Sequence, residues 1–184
     1  MKQLKIEGFV YFAAFLLCIP LANWMIGNVG TVCVPEGPCL LPVGPDQMAP
    51  SGVLMIGIAL VLRDLLQRRL GKIWAVIAII LGALLSGLVA PTPLVLASTV
   101  AFLLSELADF AVYTPLQKRR LILAVFASSV VGLVIDSIVF LQLAFGSLDY
   151  LSGQILGKAW MVLLALPLIA LLRKRDQRAG IHPA

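Results

Sequence analysis

The chain has 184 residues, of which 61% are hydrophobic and 12% charged, with a mean hydropathy of +1.04. A soluble domain carries about a quarter charged residues, so these figures exclude a disordered chain and argue against a soluble globular fold. A formal charge of +5 and a sequence pI near 9.4 do not turn so apolar a chain into a nucleic-acid module.

A membrane-crossing helix needs about 20 mostly apolar residues. The first such run covers 9–26 and follows Lys2 and Lys5. It is too long for a secretory signal and no clear small-x-small cleavage site follows it, so it reads as a retained span. A turn-rich stretch, 28–50, comes next. A short second run, 53–66, opens after Pro50, Ser51 and Gly52. The third run, 73–89, stops at Pro91-Thr92-Pro93, and the fourth, 94–113, ends before Pro115. Runs at 121–145 and 151–172 are the fifth and sixth, and 173–184 is a basic tail. The expectation is an all-α polytopic membrane protein: one six-helix domain over residues 1–184, with a long outer loop at 28–50 and a cytoplasmic tail.

Charge orients it. Apart from Arg63 and Lys158, every Lys and Arg lies before the first run, between the second and third, between the fourth and fifth, or after the sixth. The other three connections hold Glu36, Asp46 and Asp149. The positive-inside rule therefore places both termini in the cytoplasm, as expected of a multi-pass protein of the cell's inner (plasma) membrane. Cys33 and Cys39 in the outer loop are either a disulfide, if that loop faces an oxidising space, or two free thiols. Cys18 reads as packing. No His or Cys spacing marks a metal site, and the single His182 lies in the tail. No cofactor is expected.

Four ionisable residues fall well inside the runs: Glu106, Asp109, Asp136 and Lys158. Each costs about 2.5–3.5 kcal/mol near the bilayer centre, together about 10 kcal/mol if they faced lipid, so they must face the bundle interior. Helical spacing allows this. Thr99, Phe102, Glu106, Asp109 and Tyr113 share one face of the fourth run, and Ser129, Gly132, Asp136 and Phe140 share one of the fifth. Gln154, Lys158 and Met161 form a stripe on the sixth. Asp136 and Lys158 fall at similar depth on opposite-running helices, which predicts an ion pair. Glu106 and Asp109, three residues apart, should repel each other, so the pair serves a ligand or holds a proton. Arg63-Asp64 reads equally as an interfacial salt-bridge cluster or as functional. Trp24 and Trp74 read as interface anchors, and Trp160 as either core or pocket.

Several of these stretches resemble the vitamin-uptake-like (VUT) family, which includes bacterial queuosine-precursor transporters. Ser105-Glu106-Leu107-Ala108-Asp109-Phe110-Ala111-Val112-Tyr113 is similar to its SELAD-type signature. Ser128-Ser129, Gly132-Leu133 and Asp136-Ser137-Ile138-Val139-Phe140, continuing into Ala144-Phe145-Gly146, resemble its next one. Gly153-Gln154 with Lys158 resembles its sixth helix, and Arg63-Asp64-Leu65 with Arg69-Leu70-Gly71 the end of its second. The resemblance covers roughly residues 50–172 and leaves the outer loop aside. It implies a six-helix importer, not an enzyme, for a queuosine precursor (7-cyano-7-deazaguanine or 7-aminomethyl-7-deazaguanine) or a similar small heterocycle.

The residues suit such a ligand. A carboxylate accepts two hydrogen bonds from a guanine-like edge, with Glu106 the first choice, then Asp136 or Asp109. Gln154 offers a donor and an acceptor, and Phe102 or Phe140 a stacking face. Ser129 and Lys158 complete the expected substrate-binding set. Expected partners are the substrate and the lipid bilayer, with no nucleic acid; homo-oligomerisation is left open. The alternatives are a substrate-binding subunit of an ATP-driven vitamin importer, whose ATPase would be a separate chain since no P-loop is present, and, with less support, an intramembrane enzyme using paired acids.

Overall fold

The computed structural model describes residues 2–35 and 37–181. Glu36, His182 and the Lys2 side chain lie outside what is described.

Six helices dominate: α1 (Lys2–Asn28), α2 (Val53–Leu70), α3 (Lys72–Val89), α4 (Val95–Leu116), α5 (Leu121–Phe145) and α6 (Leu151–Arg178). They start and stop close to where the apolar runs do. The main difference is length. α1 extends back over its basic start, and α6 runs on through Arg173, Lys174 and Arg175, because Lys and Arg are good helix formers. A single residue, Gly71, separates α2 from α3, at φ 90 and ψ 178. That left-handed φ suits glycine and makes the sharp reversal possible. α5 ends on Gly146 in the left-handed region, φ 63, a common helix stop.

Five helices are long and apolar enough to cross a membrane: α1, α3, α4 with the short 3-10 turn before it, α5 and α6. α2 is not among them, because Arg63, Asp64, Arg68 and Arg69 interrupt its composition. Its position explains how it carries them. α2 packs against all five other helices. None of the large exposed apolar side chains among the described residues lies on it. By contrast Ile73, Leu84 and Leu88 of α3 and Leu164, Leu168 and Leu171 of α6 stand exposed, an apolar belt that would be a liability in water. One core cluster joins Phe15 and Ile19 of α1 to Leu66 of α2 and Phe102 of α4. The other joins Val61 of α2 and Tyr113 of α4 to Val125 of α5 and Ile169 of α6. Cys18 is buried in the first cluster, as expected of a packing residue.

The expectation of an all-α chain misses one feature. The segment between α1 and α2 is a three-stranded antiparallel sheet, β1 (Val32–Cys33), β2 (Cys39–Gly44) and β3 (Gln47–Pro50), in the order β1-β2-β3. Cys33 and Cys39 sit directly opposite in the β1–β2 register and are joined by a disulfide. The sheet is seated on the helices. The Trp160 indole donates to the Val43 carbonyl at 2.9 Å, and Ser152 of α6 bonds Gln47. Ser51, fully buried, donates to the Met25 carbonyl of α1 at 2.7 Å. Trp160 therefore belongs to neither core nor pocket but pins the sheet. Trp24 is exposed, and Trp74 packs edge-on against Phe9 at 5.1 Å.

Candidate functional site

A small cavity of about 60 Å³ lies beneath the sheet. Pro50 and Gly52 line it from the end of the sheet, Asn23 from α1, and Ser86 and Ser98 from α3 and α4. Phe102, Asp136, Phe140, Gln154 and Lys158 complete its chemistry. Five of the eight residues expected at the substrate site therefore meet around one space.

Lys158 organises it. The side chain is 1% exposed, and its ammonium donates to Asp136 Oδ2 at 2.6 Å, Gln154 Oε1 at 2.6 Å and Ser137 Oγ at 2.8 Å. All three ammonium protons are thus used. Gln154 and Lys158 are one helical turn apart on α6, so a single face supplies both. Asp136 and Ser137 come from α5, which runs the other way. The ion pair predicted from depth is present. Asp136 Oδ1 is less occupied, with Ser105 Oγ at 3.5 Å, a weak contact at that length. A carboxylate offers about four lone-pair sites, so Asp136 can serve Lys158 and still accept from a ligand.

Glu106, Asp109 and Ser129 are not among the residues that line this cavity. The acids are spent on Arg63. Its guanidinium donates from Nε to Glu106 Oε2 at 3.2 Å, from Nη1 to Gln67 Oε1 at 3.1 Å, and from Nη2 to Asp109 Oδ1. Nη1 also lies 2.9 Å from Asp64 Oδ1, and the guanidinium carbon sits 5.5 Å from the centre of the Tyr113 ring. The neighbouring acids, expected to repel, instead share a cation whose planar fork suits several oxygens at once. Ser128 donates to Asp64 at 3.0 Å, and Gln67 to Thr114 at 3.0 Å. Ser129 is fully buried on α5 with its hydroxyl unpartnered.

Arg63-Asp64 is therefore not an interfacial cluster. Both side chains are fully buried at the centre of the bundle. The interfacial description fits the next turn of α2. There Asp176 of α6 accepts from Arg68 at 2.9 Å and from both terminal nitrogens of Arg69 at 2.9 Å. Glu7 of α1 accepts from Arg69 at 3.0 Å and Arg175 at 2.7 Å.

The sequence patterns leave Arg63 open between an interfacial and a functional role and do not mark the lining residues Asn23, Ser86 and Ser98. A signal for Arg63 existed: ten apolar or small residues, from Val53 to Leu62, precede it, so it stands inside a helix, and the acid pair needed a counter-charge. Nothing comparable marks the serines, which read as small packing residues.

An apolar belt outside and a polar cavity inside define the class: a multi-pass helical membrane protein with a charged interior. A family model described as putative vitamin uptake transporter matches residues 88–172, a little under half of the chain. The chain is similar to that family over α4, α5 and most of α6, which carry all eight expected site residues. The similarity supports a membrane transporter in general. No curated protein and no solved structure matches the chain.

Proposed function

We propose that the chain is a six-helix importer of the inner (plasma) membrane with both termini in the cytoplasm. Its cargo in this reading is a flat, guanine-like heterocycle, with 7-cyano-7-deazaguanine or 7-aminomethyl-7-deazaguanine the leading candidates. α2 counts as the sixth span because neighbours surround it and lipid need not solvate its charges.

The observation that carries the reading is the cavity in which Asp136, Gln154 and Lys158 meet Phe102 and Phe140. In this reading Asp136 takes the role first given to Glu106. Its under-used oxygen accepts from the ring N–H and exocyclic amine of the ligand. Gln154 fixes the opposite edge, and one of the two phenylalanines stacks on the ring. Lys158 holds the carboxylate in place. Glu106 and Asp109 act one layer below, by holding Arg63.

Uptake tests this. Cells that cannot make the precursor are given it, and queuosine in their tRNA is measured. Expression of the wild-type chain should restore queuosine, and Gln154→Leu should cut it severely while the protein still inserts. Queuosine unchanged by the wild-type chain would reject the cargo.

A further inference from the structure

Outside the central cavity, unpaired positive charge gathers where the α4–α5 corner meets the end of α6. There a second, open cavity of about 320 Å³ is lined by Gln117, Lys118 and Arg119 from the corner, Arg173 and Asp176 from α6, and Arg68 from α2. Asp176 is already occupied by Arg68 and Arg69. Lys118, Arg119 and Arg173 have no carboxylate partner among the described residues. Mere topological charge would be satisfied by lysines and arginines spread around the rim. Here they converge on a concave space.

Two further features point to an anion. Gln117 is 2% exposed, and neither atom of its amide has a hydrogen-bond partner. Burying such a group unpaired is costly, so its amide nitrogen, in the cavity lining, calls for an acceptor such as an oxyanion. Leu121, also in the lining, opens α5, and no side chain caps that 25-residue helix or places an acid in its first turn. The free N–H groups of a helix start favour an anion. We propose that this cavity binds a phosphate oxyanion, held by Lys118, Arg119, Arg173 and Gln117, as carried by an anionic lipid headgroup or by free phosphate.

The test is thermal unfolding of the full chain in a neutral detergent, titrated with phosphatidylglycerol, with inorganic phosphate, or with phosphate-free monoolein. Phosphatidylglycerol should raise the melting temperature saturably and monoolein should not. A response to phosphatidylglycerol alone identifies the lipid headgroup; a matching response to inorganic phosphate identifies the free ion. Basic residues at an anionic surface contribute about 1 kcal/mol each, so Lys118→Gln/Arg119→Gln/Arg173→Gln should weaken the half-saturation roughly a hundredfold. Should that variant not fold, Gln117→Glu, which sets a carboxylate against the anion, should abolish the shift. No shift with either phosphate source, an equal shift with monoolein, or an undiminished shift in the variant that folds would overturn the proposal.

Discussion

A buried ammonium is tolerable only while its acceptors stay in place, and Lys158 has three. Removing one partner of a buried ion pair costs about 3–5 kcal/mol, whereas replacing both by apolar groups is often neutral. Asp136→Asn should therefore lower the melting temperature. Asp136→Asn with Lys158→Met should recover much of that loss without recovering uptake. A double variant that transports would show Asp136 to be structural only. The Asp136–Lys158 pair was legible in the sequence because both residues stand alone in apolar runs, so depth could be counted from the run ends. Arg63 was not legible in the same way. It lies five residues from Arg68, and a hydropathy average blends the two into one polar end. Only packing separates a guanidinium at the bundle centre from one at its edge.

At the scale of elements, α2 and α6 come unusually close. A Cβ added to Gly57 would lie 2.7 Å from the Lys158 carbonyl oxygen and 2.9 Å from Met161. The backbone of the residue that organises the cavity thus rests directly on a glycine. Overpacking such a contact costs about 1–3 kcal/mol, and here relief requires moving α6 with Lys158 on it. Gly57→Ala should lower the melting temperature and weaken ligand binding together. Gly27→Ala, where a Cβ meets nothing within 4 Å, should change neither; equal effects at the two positions would contradict the close-approach account. Helix positions were readable from apolar runs and proline stops. The sheet was not, since its strands are two, six and four residues long and the two longer ones contain a proline each. Strand signals need longer alternation than that. Its order comes from contacts distant in sequence, such as Trp160 with Val43.

Across the whole molecule the polar side chains form a column through an apolar bundle. The cavity with Asp136 and Lys158 lies under the sheet, the Arg63 cluster follows, and the Glu7–Arg69–Asp176 network ties α1, α2 and α6 at the far end. This column places the sheet and the basic network at opposite ends of the helix bundle; in the proposed topology, the positive-inside rule sets these ends on opposite sides of the membrane. A fluorescent reporter that matures only in the cytoplasm should light up when fused after Arg178, and a reporter active only outside should work when inserted at Asp46; the reverse pattern would contradict the topology. In the proposed function the cavity under the sheet holds a deazaguanine on Asp136. The most direct test of this is the melting temperature of the purified protein with 7-cyano-7-deazaguanine, 7-aminomethyl-7-deazaguanine, a pterin and a vitamin unrelated to either. A saturable rise with a deazaguanine, lost in Asp136→Asn/Lys158→Met and kept in Gly27→Ala, is the predicted result. No rise with either deazaguanine, or a rise that survives the loss of Asp136, would contradict it.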